Sequence, residues 1–75
     1  MKDYFFIYGK QDCTYCEAAK LLLHTYNERF IYLDVGANPK WRDPEWKTVP
    51  QIFHDGKYIG GYSALERYLE HYTEV

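Results

Sequence analysis

Cys13 and Cys16 are the only cysteines of this 75-residue chain, and they stand in the order Cys-Thr-Tyr-Cys. Two thiols at that spacing can close a disulfide with each other or exchange one with a third sulfur. As a staple the pair does little, because a loop so small removes little entropy from the unfolded chain. Small secreted domains held by disulfides usually carry four, six or eight cysteines, so reactivity is the better reason for this pair. A structural zinc site would need four ligands. The other candidates are His24, His54 and His71, and they form no second paired spacing. They read as surface residues without a role in the chemistry.

The elements around the cysteines are legible in the pattern of apolar residues. Residues 4–8, Tyr-Phe-Phe-Ile-Tyr, are aromatic or β-branched throughout and end at Gly9, the pattern of a strand covered on both faces. After the polar stretch Lys10-Gln11-Asp12 the cysteines open a helical pattern. Tyr15, Ala18, Ala19, Leu22 and Tyr26 recur at three- and four-residue intervals, which predicts a helix over 14–26. Residues 30–35, Phe-Ile-Tyr-Leu-Asp-Val, predict a second strand. Strand, helix and strand in some thirty residues make a right-handed βαβ unit with parallel strands.

Residues 36–47 predict one or two short helical turns. Asn38-Pro39 and Asp43-Pro44 each place a capping residue before a proline, and Trp41 and Trp46 are expected to close over the sheet. Residues 51–54 and 57–60 flank Asp55-Gly56, the signature of a two-residue hairpin turn. Tyr62, Leu65, Tyr68, Leu69 and Tyr72 mark a last amphipathic helix. Its start is expected at Ser63, which has capping-box spacing to Glu66. The expected fold is a single α/β domain over residues 1–75 in the order β-α-β-(short α)-β-β-α. A four-stranded mixed sheet carries helices packed on its faces.

This order puts Cys13 in the turn between a strand's carboxyl end and a helix amino end. Unpaired N–H groups and the positive end of the helix dipole favour an anion there. A free thiol, with a pKa of about 8.5, is ionised to only about 3% at pH 7, and helix N-termini in Cys-x-x-Cys motifs lower that pKa. Lys10 adds positive charge nearby; Asp12 opposes it. Cys16, one turn along, meets fewer N–H groups and lies deeper. The expected division of labour is attack by Cys13 and resolution of the mixed disulfide by Cys16.

Composition narrows the partners. Nine Tyr, four Phe and two Trp, with 47% apolar residues, exclude intrinsic disorder. Nine basic against eleven acidic residues give a net charge of −2, with no electrostatic footprint for nucleic acid or an anionic membrane. The apolar run Tyr4–Tyr8 is too short for a signal peptide or a membrane span, so a cytoplasmic address is expected.

Three segments, in order, resemble the glutaredoxin family of the thioredoxin superfamily. Lys10-Gln11-Asp12-Cys13-Thr14-Tyr15-Cys16 is similar to its Lys-x-x-Cys-Pro-Tyr-Cys. Thr48-Val49-Pro50-Gln51-Ile52-Phe53 resembles its Thr-Val-Pro before a strand, and Ile59-Gly60-Gly61-Tyr62-Ser63 its Gly-Gly-x-Ser/Asp before the last helix. The resemblance implies a thioredoxin-like (glutaredoxin) fold and a cis Val49–Pro50 bond, which leaves the Val49 N–H and C=O free for a peptide-like substrate. It also implies glutathione contacts from Lys10, Tyr15, Thr48, Val49, Pro50, Gly61, Tyr62 and Ser63, with Arg42 and Lys47 as candidates for a further carboxylate. In the family the paired glycines let the backbone approach glutathione, whose γ-glutamyl carboxylate meets the last helix.

The activity so implied is thiol–disulfide exchange on protein disulfides and glutathione mixed disulfides. Glutathione serves as co-substrate, with no metal and no permanently bound cofactor. Disulfide-containing proteins, ribonucleotide reductase among them, are the implied partners of a monomer. Two departures stand out: Thr14 replaces the usual Pro between the cysteines, and Ala64 stands where many members have Asp. They leave two alternatives open. One is a thioredoxin-like electron donor recharged by a flavoprotein reductase; the other is a glutaredoxin that binds an iron–sulfur cluster.

Overall fold

The structure is a computed structural model and describes residues 4–72. Its elements are β1 (Phe5–Gly9), α1 (Thr14–Thr25), β2 (Phe30–Asp34), a single 3-10 turn (Pro39–Trp41), β3 (Gln51–His54), β4 (Lys57–Gly60) and α2 (Tyr62–Tyr72). The four strands form one mixed sheet in the order β2-β1-β3-β4. β1 is parallel to β2 and antiparallel to β3, and β3 and β4 form an antiparallel hairpin. Ile7 sits at the centre, opposite Tyr32 on one side and Ile52 on the other.

Alternation along β1 sorts the two faces of the sheet. Phe5 and Ile7 join Ala19, Leu23, Ile52, Leu65 and Leu69 in a fully buried core, so both helices pack on the same face. Phe6 and Tyr8 turn the other way. On that second face Trp46 lies 5.0 Å from the Tyr8 ring and 6.3 Å from Phe53. Trp46 therefore closes over the sheet as expected. Trp41 does not: it stays 45% exposed, at the edge of an aromatic cavity of about 580 Å³ that Phe6, Tyr8 and Phe53 help to line. The covering segment is short because Pro44 cannot continue a helix begun at Pro39 and biases Asp43 against the helical region.

Local chemistry explains the element ends. Asn27, at φ 62°, ends α1 in a Schellman motif, with Glu28 N–H on Leu23 C=O and Asn27 N–H on His24 C=O. Asp55 and Gly56 both take positive φ, 54° and 84°, as a type I′ turn requires. The start of α2 differs from expectation. The helix begins at Tyr62, and Leu65 N–H bonds to Gly61 C=O, so Gly61 is the capping residue and Ser63 lies inside the first turn. The strand-ending glycines bring the chain straight into the helix, so no residue is left to place Ser63 ahead of it. Among the described residues no helix is long and apolar enough to cross a membrane.

Candidate active site

Cys13 is the N-cap of α1, with extended backbone at φ −119° and ψ 111°. Its Sγ accepts a hydrogen bond from the Cys16 N–H at 3.2 Å, the place an Asp or Ser oxygen usually takes at a helix start. The two cysteines are joined as a disulfide, with Cα atoms 5.2 Å apart. Cys13 is partly exposed and Cys16 fully buried. The inequivalence expected from position along the helix is thus present in the geometry. Asp12, at φ 57°, makes the sharp turn that delivers Cys13 to the helix start.

Cys16 packs against the end of β1. A Cβ built on Gly9 would stand 2.9 Å from Cys16 Sγ and overlap Tyr32 Oη. Tyr32 Oη donates to the Lys10 carbonyl at 3.0 Å, tying the loop before the cysteines to β2. The Lys20 ammonium lies 4.2 Å above the Tyr32 ring centroid. Burial, with Glu17 and Asp34 nearby, raises the Tyr32 phenol above its ordinary value of 10.0.

Across from the cysteines, the Val49–Pro50 peptide bond is cis. The Val49 carbonyl oxygen lies 3.9 Å from Cys13 Sγ, a contact without a proton while the sulfur is in a disulfide. Gln51 supports this loop from below. Its Nε2 donates to the Thr48 carbonyl at 2.9 Å, and its Oε1 accepts from Tyr58 Oη at 2.6 Å. Gly60, at φ 129°, turns the chain toward α2, and a Cβ there would meet Ala64 Cβ at 3.0 Å. Gly61 is less constrained: its added Cβ would find Pro50 O at an ordinary 3.7 Å.

Tyr15, Thr48, Val49, Pro50, Gly61, Tyr62, Ser63 and Glu66 line one groove of about 500 Å³. The Tyr15 and Tyr62 rings form one wall, 5.7 Å apart. Seven of the eight residues expected around glutathione are therefore neighbours. Lys10 is not among them; it lines a separate hollow with Gln11, Asp34, Gly36 and Ala37. Arg42 is also elsewhere, its guanidinium donating to Trp46 C=O at 2.7 Å beside the aromatic cavity. Sequence reasoning missed Gln51 and Glu66. Glu66 acts on the Tyr62 hydroxyl: with burial as the first cause and the Glu66 charge next, the Tyr62 phenol is held above 10.0. Among the described residues, no three His, Cys, Asp or Glu side chains come together as a metal site.

A glutaredoxin family profile matches residues 5–59, from β1 through the cysteines and the Val49–Pro50 loop into β4. The chain belongs to the glutaredoxin family. Glutaredoxins are thiol oxidoreductases, and this one carries the cysteine pair at the start of α1. It is 42% identical to glutaredoxin 3 of Escherichia coli K12 over 64 residues, 79% of this chain and 77% of that one. It is 32% identical to human mitochondrial glutaredoxin-2 over 69 residues, 81% of this chain but 42% of the human protein. Among solved structures, glutaredoxin 1 of Francisella tularensis superposes with a TM-score of 0.77 at 27% identity, covering 96% of this chain and 98% of the other. A dithiolic glutaredoxin of Trypanosoma brucei brucei gives a TM-score of 0.74 at 26% identity, covering 92% and 79%.

Proposed function

We propose that this glutaredoxin reduces protein disulfides and glutathione mixed disulfides through Cys13 and Cys16, with glutathione as its reductant. The observation that carries the reading is the Cys13 sulfur held as helix cap by the Cys16 N–H, beside the groove of Tyr15, Val49 and Tyr62. In the reduced protein the same N–H favours the thiolate over the thiol. The Cys13 thiolate attacks one sulfur of the substrate disulfide, forming a mixed disulfide and releasing the other sulfur as a thiolate. Cys16, once deprotonated, displaces the second substrate sulfur and closes the Cys13–Cys16 disulfide. One glutathione thiolate opens that disulfide at Cys13, and a second leaves with the first as glutathione disulfide. Each turnover thus oxidises two glutathiones and reduces one substrate disulfide.

The Val49 backbone supports binding of an extended peptide, because its carbonyl faces Cys13 and a strand-like partner uses such free groups. Tyr15, Thr48, Pro50, Gly61, Tyr62 and Ser63 complete the proposed glutathione groove, and Lys10, which lines a separate hollow, is left out of it. We place the protein in the cytoplasm as a monomer, with ribonucleotide reductase among its candidate partners.

A glutathione-coupled disulfide reduction assay tests the proposal. Cys13→Ser should abolish turnover, and Cys16→Ser should retain reduction of glutathionylated substrates while losing that of protein disulfides. Retention of activity by Cys13→Ser would refute the assigned roles. Failure of glutathione to reduce the oxidised protein, with success of a flavoprotein thioredoxin reductase, would favour the thioredoxin-like alternative.

A further inference from the structure

Among the residues lining the groove beside Cys13, Glu66 alone carries a charge. Its charge acts on the Tyr62 phenol, whose ring faces Tyr15 across the same groove. The nearest basic residue in sequence, Arg67, lines a different hollow with Lys57, Tyr58 and His71. Lys10 lies by Asp34, Gly36 and Ala37, off the groove. The wall formed by Tyr15, Tyr62 and Glu66 is therefore aromatic and acidic.

We infer that Glu66 makes this groove choose its disulfide substrates by charge, favouring peptides with a Lys or Arg beside the reacting cysteine over those with Asp or Glu there. The inference rests on the thiol-exchange reading above and names the substrate class that reading leaves open. A cation next to the substrate sulfur meets the Glu66 carboxylate at the groove wall, the opposite charge that an approaching Lys or Arg side chain pairs with. An anion there meets like charge. Glu66 is a specificity residue and takes no part in bond exchange.

The size of the effect follows from its setting. An exposed pair changes a rate by about three- to fivefold at most, and screening shrinks that change at high salt. The probes are two cysteine peptides that differ only in a flanking Lys or Glu, each activated as a 2-pyridyl disulfide. Attack by Cys13 forms the peptide mixed disulfide and releases the uncharged thiopyridone, whose absorbance gives the rate. In low salt the wild-type protein should react at least about threefold faster with the Lys peptide. Glu66→Gln should bring the two rates together, Glu66→Lys should invert the preference, and high salt should erase it. Equal rates in the wild type, or a preference that survives Glu66→Gln, would overturn the inference while leaving the thiol chemistry intact. Failure of both peptides to react, or equal rates from Cys13→Ser, would remove the thiol-exchange reading and the inference with it.

Discussion

At the scale of single residues, the cysteine pair was plain in the sequence because spacing alone sets its chemistry. Its supports were not. Gly9 looked like punctuation after a strand, yet it is the surface on which Cys16 and Tyr32 close. The places of Glu66 and Gln51 in the site have no sequence signal, because a helical or strand period says which face a residue shares, not what crosses over to meet it. Charge alone groups Lys10 with the groove, and the loop instead carries it toward Asp34. Gly9 gives the sharpest test at this scale. Gly9→Ala forces a methyl against Cys16 Sγ and the Tyr32 hydroxyl that bonds the Lys10 carbonyl. Overpacking of this kind costs about 1–3 kcal/mol. Urea unfolding of the oxidised protein should show that loss, and thiol exchange should slow because the Lys10–Cys13 loop is displaced. A stability equal to wild type would mean that the β1 end and α1 can separate freely.

At the scale of elements, β3, β4 and their turn were read to the residue because Asp55-Gly56 admits few alternatives. The cap of α2 lies two residues ahead of the one that the Ser63–Glu66 spacing predicts. Ser63 and Glu66 have the spacing of a capping box, but Gly60 has already turned the chain and Gly61 supplies the cap. A substitution pair separates these two accounts. If Ser63 capped the helix, Ser63→Ala would cost about 1 kcal/mol. With Ser63 inside the first turn, the change should stay within about 0.5 kcal/mol. Gly60→Ala should cost more, about 1–3 kcal/mol, because φ 129° suits glycine and the new methyl meets Ala64. Thermal or urea unfolding of both variants should therefore rank Gly60→Ala well below Ser63→Ala. The segment between β2 and β3 resisted reading for a different reason. Its prolines told where a helix must stop, but the position of Trp46 over Tyr8 is a tertiary contact without a local signature.

At the scale of the whole molecule, the sequence implied a mixed sheet but not the order β2-β1-β3-β4, since register between distant strands is set by the packed core. That core is small, and much of its surroundings is tyrosine. Tyr32, Tyr62 and Tyr68 all have phenols held above 10.0, with burial the first cause in each. Tyr68 is the most structural of the three: its ring meets Phe5 edge-on at 6.0 Å and its hydroxyl lies 2.6 Å from His54 Nδ1. His54, expected at the surface, is instead buried and stacks on Phe5 at 4.0 Å. Below about pH 9 these phenols are protonated in folded and unfolded chains alike, and their contribution to stability is complete. Above it, the unfolded chain releases protons that the folded one retains, so stability falls as pH rises through the folded values. Urea midpoints measured across the alkaline range should hold steady up to about pH 9 and then decline. Tyr68→Phe should start less stable by about 1–3 kcal/mol, because it leaves His54 Nδ1 buried without its partner. The same variant should decline less steeply with pH, having lost one of the phenols that drive the fall. An identical slope in Tyr68→Phe and wild type would place the alkaline sensitivity outside this aromatic cluster.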